Sequence, residues 1–433
     1  MKKVRLGELL RTDAFQRRDK RKTELAYFDT SSITKGKIGE PSILKVGVDK
    51  IPSRAQNSIA GESVVYSLVR PLNEHHAFVS PTAIPDNSVF STGYCGIKER
   101  GTNDLYYLYL LLTSKKSLRR LAQIADTSAS SYPAISPSDI ENLIVDYHDD
   151  YNYQVKIADL GKTIDMLFRN LELQISELEQ TAQDLYNYWF VQFDFPDEKG
   201  NPYRSSGGKM VWNEELKQEI PEGWEVTNLD NFVSGTFAGD WGKESKQGNY
   251  TKEVYCLKGA LLSGINENVH LELPPIRWIL QSHADRLLEY GDIVIEISGG
   301  SPSQSTGRAA LMSDLSFRRF DKPLVCSNFC RVLRLKESTL IPWFYQMWKH
   351  LYQNGVMFLF EGKTSGIKNL LLDFFMKQYK IAYSDDISKR ASEYMLLMEN
   401  HKQKLFCELQ ELSRMRSFLL PLLLNGQATI GSE

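Results

Sequence analysis

The chain has 433 residues, of which 42% are hydrophobic and 24% charged, and this composition is typical of a globular protein with two or three domains. A net charge of −2 gives no overall basic character, so a nucleic-acid partner must be sought in local clusters of charge. Five scattered cysteines without a CxxC pair argue against disulfide and zinc frameworks, and no apolar run suits a signal peptide or the roughly 20 residues of a membrane span, so we expect a cytoplasmic protein.

The predicted elements, taken in chain order, show an internal repeat with a period of about half the chain. Five anchors recur in the same order, and their offsets drift from 223 to 237, as loop insertions in the second copy would produce. They pair residues 6–10 (LGELL) with 229–233 (LDNFV), 61–67 (GESVVYS) with 291–298 (GDIVIEIS), 89–91 (VFS) with 325–327 (VCS), the aromatic-rich helix candidates 105–121 and 342–359, and Thr127-Ser128 with Thr364-Ser365. The second pair, aligned on Gly61 and Gly291 at an offset of 230, predicts a turn followed by a buried strand.

Each copy ends in a long helical segment with an apolar seam of seven-residue period, which is the pattern of coiled-coil packing. The first seam is Ile164, Phe168, Leu171, Ile175, Leu178, Ala182, Leu185 and Trp189, and the second is Ala391, Met395, Met398, Leu405, Leu409, Leu412, Leu419 and Leu423. Lys402 and Arg416 interrupt the second seam. Either helix alone could cap its own domain, but two helices related by a repeat favour pairing with each other.

The fold class predicted from these patterns is α+β, with two globular α/β modules in pseudo-twofold repeat, separated by two long helices packed as an antiparallel coiled coil. The predicted segments are 1–153 for the first module, 154–193 for the first long helix, 194–224 for a connector rich in proline and glycine, 225–383 for the second module, 384–426 for the second long helix and 427–433 for a tail.

Positive charge is concentrated in the modules. Residues 1–60 hold 14 Lys or Arg against 7 Asp or Glu, and residues 301–336 hold 7 against 2, whereas the first long helix leans acidic. Loops that combine basic, amide and hydroxyl groups are suited to phosphates and base edges. The candidate DNA contacts are Arg17, Arg18, Lys20, Arg21, Lys22, Ser53, Arg54, Gln56, Asn57, Arg70, Thr127, Ser128, Ser130 and Tyr132 in the first module, and Trp241, Lys243, Lys246, Ser303, Gln304, Ser305, Arg308, Lys363, Thr364 and Ser365 in the second. Any one of them could equally be structural.

No catalytic motif is complete. Residues 362–365 (GKTS) resemble the end of a phosphate-binding loop, but Met357 stands where that loop needs a glycine. Residues 201–203 (NPY) lack the second proline of an amino-methyltransferase motif, and the seven histidines show no metal-ligand spacing. We therefore expect neither catalytic residues nor a metal or cofactor in this chain.

The whole chain resembles the DNA-specificity subunit of type I restriction–modification systems. The resemblance rests on the duplicated plan and on local strings, namely residues 52–55 (PSRA), 61–62 (GE), 67–71 (SLVRP), 188–196 (YWFVQFDFP), 202–208 (PYRSSGG), 220–224 (IPEGW) and 420–426 (LPLLLNG). The loop at Gly307-Arg308 has no clear counterpart in the first module.

The resemblance implies that each module is a target-recognition domain that reads one half of a bipartite double-stranded DNA site. It implies that the paired helices set the gap and dock two methyltransferase subunits, which bind S-adenosylmethionine. Separate restriction subunits would use ATP and Mg. The alternative is a two-module scaffold protein joined by a coiled coil, without DNA specificity.

Overall fold

The computed structural model describes residues 1–127, 133–266, 272–299, 301, 303–364 and 367–431, with only the backbone of residues 363, 364 and 367. The elements of the first half are β1 (Lys2–Arg5), α1 (Leu6–Leu9), β2 (Leu10–Arg11), β3 (Gln16–Arg17), β4 (Glu24–Phe28), β5 (Ile33–Thr34), β6 (Lys37–Ile38), β7 (Ser42–Lys45), β8 (Ala55–Ser58), β9 (Ser63–Ser67), β10 (His76–Val79), β11 (Ser88–Ser91), β12 (Tyr94–Glu99), α2 (Leu105–Leu112), α3 (Lys115–Asp126), α4 (Pro137–Glu141), β13 (Ile144–Tyr147) and α5 (Tyr151–Tyr186). Those of the second half are β14 (Met210–Asn213), β15 (Gln218–Pro221), β16 (Glu225–Asn228), β17 (Val233–Ala238), β18 (Tyr250–Leu257), α6 (Gly259–Leu262), β19 (Ile276–Leu280), β20 (Ile293–Glu296), β21 (Ser298–Gly299), β22 (Ala309–Leu311), α7 (Asp314–Arg318), β23 (Leu324–Cys326), β24 (Cys330–Leu335), α8 (Ile341–Gln353), β25 (Glu361–Thr364), β26 (Ile367–Leu370), α9 (Leu372–Gln378), β27 (Lys380–Tyr383) and α10 (Asp385–Leu424).

The chain divides into two compact units. Unit 1 is Met1–Phe168 together with Leu412–Glu433, and unit 2 is Arg169–Glu411. Each long helix, α5 and α10, therefore contributes one stretch to each unit. The connector that follows α5 belongs to unit 2 and carries the antiparallel hairpin β14–β15. Among the described residues, no helix combines the length and the apolarity that a bilayer span requires.

The main sheet of unit 1 has the strand order β10-β9-β12-β2, with every neighbouring pair antiparallel. Val64 and Ile97 are among the side chains on the face of the sheet that packs against α2, α3 and α5. Every residue of α2 is buried, as its uniformly apolar sequence predicts. Leu420, Leu423 and Leu424 at the end of α10 complete this core.

A second sheet in unit 1 has the order β3-β8-β11-β4-β7 and contains one parallel pair, β11 with β4. Its core lies between the two sheets, where the rings of Phe28 and Phe90 stack at 5.3 Å. The strands β3 and β8 extend this sheet beyond β11, so their polar side chains line its edge.

Unit 2 repeats the main sheet strand by strand and the second sheet without counterparts of β3 and β8. Its main sheet has the order β22-β20-β24-β17, and its second sheet has the order β19-β18-β23 with β18 and β23 parallel. The ribbon β16–β27 corresponds to β1–β13 in unit 1. The predicted duplication and the predicted fold class, two mixed α/β units with two long helices, are confirmed. The small sheet β21-β26-β25 is an addition that belongs to unit 2.

The strand register corrects one predicted offset. Ile97 of β12 pairs with Val64, and its counterpart Leu333 of β24 pairs with Ile293. Val64 is therefore the counterpart of Ile293, at an offset of 229 instead of the 230 that the glycines Gly61 and Gly291 suggested. A slip of one residue matters, because it exchanges the two faces of a strand.

The predicted helix 105–121 is also corrected, since it is two helices. α2 ends at Leu112, and Ser114 caps the start of α3 by accepting a hydrogen bond from the amide of Ser117. The corresponding candidate in unit 2, residues 342–359, also breaks, but later in the repeat: α8 ends at Gln353, and Gly355 adopts a φ of +72° before a 3₁₀ turn.

The two long helices pack against each other in antiparallel directions. All sixteen predicted seam positions are buried or half-buried. In unit 1, Tyr153 Oη donates to the carbonyl of Ala428 at 3.3 Å, and in unit 2 the rings of Trp189 and Tyr394 lie 5.9 Å apart. Residues near the start of α5 thus contact the segment that follows α10, and residues just after the end of α5 contact the first turns of α10.

The two cations that interrupt the predicted seam contact carboxylates of the opposite helix. Lys402 is 5% exposed and places its Nζ 2.8 Å from Glu179 in unit 2. In unit 1, Arg416 places Nη2 3.1 Å from Asp165. Glu179 also pairs with Lys349 of α8, so this carboxylate ties both long helices to the core of unit 2.

Replacing Leu178 by Asp is expected to lower the free energy of unfolding by roughly 2–4 kcal/mol, because it places an unpaired charge in the seam. Ser176→Asp adds the same charge at an exposed position of the same helix and is the matched control. Urea denaturation of both variants measures the difference, and equal stability of the two would show that the seam does not hold the helices together.

A buried histidine gives unit 1 a pH-dependent stability. The His76 ring stacks on Tyr66 at 5.6 Å and meets the Tyr109 ring edge-on at 5.5 Å, while its Nδ1 lies 3.1 Å from the Tyr109 hydroxyl. Burial and the nearby Arg416 lower the pKa of His76 from its ordinary 6.5 to about 3. The imidazole is therefore neutral in the folded unit across the physiological pH range.

Between pH 6.5 and 3 the unfolded chain binds a proton at this residue that the folded chain does not bind, so folding stability falls as pH falls. His76→Phe keeps a ring between the two tyrosines but cannot titrate. Relative to this variant, the wild type is expected to lose on the order of 2 kcal/mol of unfolding free energy between pH 7 and pH 4.5. The difference in unfolding free energy between wild type and His76→Phe should be constant between pH 7 and pH 8. If it were also constant between pH 7 and pH 4.5, the assignment of this pH dependence to His76 would be wrong.

Candidate nucleic-acid interface

In unit 1, several of the basic and amide side chains predicted to contact DNA lie together at the edge of the second sheet. Strand β3 pairs with β8 so that Arg17 lies opposite Asn57, and the Arg17 guanidinium donates to the side chain of Gln56. The amide of Arg18 donates to the Gln56 carbonyl at 2.9 Å, and Arg54 is exposed at the start of β8. We call Arg17, Arg18, Ser53, Arg54, Gln56 and Asn57 the basic edge.

The turn that follows β3 continues this positive charge. Lys20, Arg21 and Lys22 are all exposed, and Arg21 forks onto Asp19 with Nε and Nη2 at 2.9–3.2 Å from its carboxylate oxygens. The hydrogen bond from Arg21 lowers the pKa of Asp19 to about 2. Asp19 therefore orients one arginine, and the neighbouring lysines remain available to phosphates.

Two further predicted DNA contacts, Arg70 and Thr127, lie outside the basic edge. Arg70 occupies the left-handed region at φ +48° immediately before a 3₁₀ turn, is exposed, and its amide donates to the carbonyl of Pro133 at 2.9 Å. Thr127 caps the end of α3 through a 2.7 Å bond from its hydroxyl to the carbonyl of Ile124. A non-glycine residue held at positive φ carries a backbone cost of about 1–3 kcal/mol, so the conformation of Arg70 is imposed by its surroundings.

The predicted contacts Ser128, Ser130, Tyr132 and Ser365 lie outside the described residues, as do the side chains of Lys363 and Thr364. The predictions for them stay untested.

In unit 2 the structure gathers three predicted residues with four that the sequence analysis missed. Arg277 lies over the ring of Trp241 at 4.4 Å, and Lys258 lies over the same ring at 5.7 Å. These two contacts place the β18–β19 sheet against the predicted loop. The complete set, which we call the cation–aromatic surface, is Trp241, Lys243, Lys246, Tyr250, Lys258, Arg277 and Trp278.

The loop and the strand are held together through their backbones. Lys243 and Trp278 exchange two amide-to-carbonyl bonds of 2.9 Å, which brings the Lys243 ammonium to 5.6 Å from the Tyr250 ring. Lys246 reaches the Trp278 ring at 6.0 Å. The three aromatic residues are half-buried. Cations bind phosphates and accessible ring faces stack on bases, so this surface has the chemistry of a nucleic-acid contact.

Arg277 is the most constrained cation of the set. Its side chain is 12% exposed, its Nε is buried without a hydrogen-bond partner, and its nearest carboxylate, Glu244, lies 3.5 Å from Nη1 and is 85% exposed. The adjacent pair Arg277-Trp278 in a strand was the available sequence signal. It was missed because strand pairing, and not local sequence, brings it to Trp241.

The second predicted loop of unit 2 is mostly structural. Ser305 is 4% exposed, so it lacks the surface position that a DNA contact needs. Arg308 places its Nε 3.6 Å from Oε2 of Glu296. The burial of Ser305 argues against that prediction, whereas Arg308 is half-buried and the prediction for it stays untested. Ser303 and Gln304 are exposed and remain candidates.

In the part of the chain that the structure describes, no group of three or more His, Cys, Asp or Glu side chains could hold a metal ion.

Comparison with known proteins adds independent information. No protein-family model matches the chain. Over 149 residues it is 32% identical to the specificity subunit of the type I restriction enzyme HindI of Haemophilus influenzae, which covers 34% of this chain and 32% of that protein. Over 127 residues it is 31% identical to the MjaIX specificity subunit of Methanocaldococcus jannaschii, covering 29% and 27%. The matches thus span about a third of the curated relatives' lengths.

The solved structure of a type I restriction–modification S subunit from M. genitalium superimposes on 98% of this chain and 96% of its own, with a TM-score of 0.52 and 16% identity. The chain has the fold of a type I S subunit. The predicted resemblance is confirmed at the level of fold and of local sequence.

Replacing Lys243 and Lys246 together by Ala is expected to weaken duplex DNA binding and to reduce the slope of log affinity against log salt by about 2, since each lysine releases about one counterion. Lys217→Ala removes an exposed lysine that pairs with Glu214 in the connector hairpin and is the control. Fluorescence anisotropy between 50 and 200 mM salt measures the slope. A double variant with the slope of the control would exclude these lysines from the interface.

Proposed function

We propose that this chain is the DNA-recognition subunit of a type I restriction–modification complex, in which unit 1 reads one half of a bipartite site and unit 2 reads the other. The observation that carries the proposal is the duplication. The main sheets of the two units share one strand order, yet their second sheets differ in strand number and in the side chains that they present. The names of the curated relatives support the same function.

The different surfaces support the reading of two different half-sites. The basic edge of unit 1 offers guanidinium and amide groups, which suit hydrogen bonding to base edges in the major groove. The cation–aromatic surface of unit 2 offers ammonium groups and flat rings, which suit phosphates and stacked bases. A scaffold without DNA specificity would not need either surface.

We further propose that the chain is not itself an enzyme. Methylation of adenine would be carried out by two modification subunits that bind S-adenosylmethionine, and cleavage by restriction subunits that use ATP and Mg. The paired helices α5 and α10 would dock the modification subunits and set the gap between the half-sites.

Sequencing of methylated adenines tests the proposal when the chain is expressed with its genomic neighbours in a host that lacks other methyltransferases. We expect one asymmetric motif made of two short half-sites and a fixed gap of unspecified bases. A continuous motif, or no methylation that depends on this chain, would contradict the proposal.

Within that experiment, Arg54→Ala is expected to relax or abolish recognition of a single half-site and to leave the other half unchanged, because Arg54 belongs to unit 1 alone. Loss of a base-edge contact costs roughly 1–3 kcal/mol, or about 5- to 150-fold in affinity. Lys116→Ala, an exposed lysine on α3, is the matched control. Equal loss at both half-sites would argue against modular recognition.

A further inference from the structure

A tyrosine fills a site in unit 1 where α2 crosses α5. The Tyr106 ring meets Phe78 at 5.1 Å and Tyr109 at 5.4 Å, and the ammonium of Lys162 lies 5.4 Å from its centre. Its hydroxyl donates to the carboxylate of Asp165. Burial and this carboxylate raise the pKa of Tyr106, so the phenol keeps its proton and acts as the donor.

The repeat identifies the same site in unit 2. α2 begins at Leu105 and α8 at Ile341, and the same offset of 236 relates the ring contact of Tyr107 with Tyr147 to that of Trp343 with Tyr383, so Tyr106 corresponds to Pro342. On the strands, the partner of Val64 is Phe78 and the partner of Ile293 is Leu311, which makes Leu311 the counterpart of Phe78.

The carboxylate of the site is also repeated. The buried positions of α5 and α10 coincide when Ile157 is aligned with Ala391, and this alignment matches Asp165 with Glu399. Arg416 holds Asp165 at 3.1 Å, and Lys402 holds Glu399 at 2.7 Å. In both units a cation thus fixes the carboxylate and leaves it able to accept a further hydrogen bond.

Where unit 1 has the tyrosine ring, unit 2 has a cavity of about 390 Å³. Its walls include Leu311, Pro342, Tyr345, Leu396 and Glu399. In unit 1 their counterparts are, in the same order, Phe78, Tyr106, Tyr109, Lys162 and Asp165, which are the tyrosine itself and the residues around its ring. The volume lies within the roughly 300–1,000 Å³ range of small-ligand sites.

The cavity also contains an unsatisfied polar group. Gln346, which replaces Leu110 of unit 1 on the wall of the site, is 7% exposed, and its side-chain oxygen is buried without a hydrogen-bond partner. Burying an acceptor without a partner is unfavourable, so a ligand that carries a second donor beside its hydroxyl would be stabilised further here.

We propose that this cavity of unit 2 binds a phenol, the chemistry of a tyrosine side chain, with its ring between Leu311 and Tyr345 and its hydroxyl donating to Glu399. The proposal rests on the fold and not on DNA recognition, so its failure would leave the proposed function untouched. The phenol is either a free small molecule or a tyrosine on another polypeptide.

Differential scanning calorimetry of the full chain tests the proposal with p-cresol, with toluene, which lacks the hydroxyl, and with N-acetyl-tyrosinamide. A probe at about five times its dissociation constant is expected to raise the midpoint of unit 2 by about 2–4 °C. We expect p-cresol to do so and toluene to do so much less. If N-acetyl-tyrosinamide also raises the midpoint, the natural ligand is a tyrosine of another polypeptide. If p-cresol alone raises it, the natural ligand is a free phenol.

Pro342→Tyr supplies the ring from the chain itself and is expected to abolish the response to p-cresol. Leu396→Trp, which enlarges another side chain that lines the cavity, gives a second blocked variant if the first does not fold. Glu399→Gln should narrow the difference between p-cresol and toluene. Equal responses to p-cresol and toluene in the wild type, no response to p-cresol, or an unchanged response in the folded blocked variant would overturn the proposal.

Discussion

Two ion pairs within the seam of the long helices fix the register on which both units depend. Asp165 and Glu179 are 14 residues apart on α5, and their partners Arg416 and Lys402 are 14 residues apart on α10, so both contacts belong to one antiparallel register. An apolar seam with a seven-residue period tolerates a shift by one heptad, whereas the buried ammonium of Lys402 does not tolerate the loss of its carboxylates, which costs about 3–5 kcal/mol. The Asp165–Arg416 pair is more exposed and adds less. The seam supplies the packing, and the ion pairs select one alignment.

That register explains why each unit draws on both helices. The core of unit 1 is completed by leucines at the end of α10, and the core of unit 2 takes Tyr186 from the end of α5 and Trp189 from the turn that follows it. The shared scaffold then leaves the two units free to differ elsewhere. Unit 1 extends its second sheet with β3 and β8, unit 2 adds the sheet β21-β26-β25, and a tyrosine in one unit is a proline beside a cavity in the other.

The features predictable from the sequence were those with a periodic or repeated signal. The seam residues from Ile164 to Leu423 and the order of the repeat followed from spacing alone. The face of β9 could not be predicted, because the extra residue before Val64 shifts the strand by one without changing its composition. The interface was predictable only in part. Trp241 and Lys243 stood out locally, but Arg277 joins them through strand pairing. The burial of Ser305 and the contact of Arg308 with Glu296 depend on the surrounding fold.

The register claim is tested most directly by a double-mutant cycle at Asp165 and Arg416, with Asp165→Asn and Arg416→Met measured singly and together by urea denaturation. If this pair fixes the alignment, the coupling energy should lie between about 1 and 3 kcal/mol. Additive effects, with a coupling below about 0.5 kcal/mol, would show that the helices find their register without it and would contradict the account.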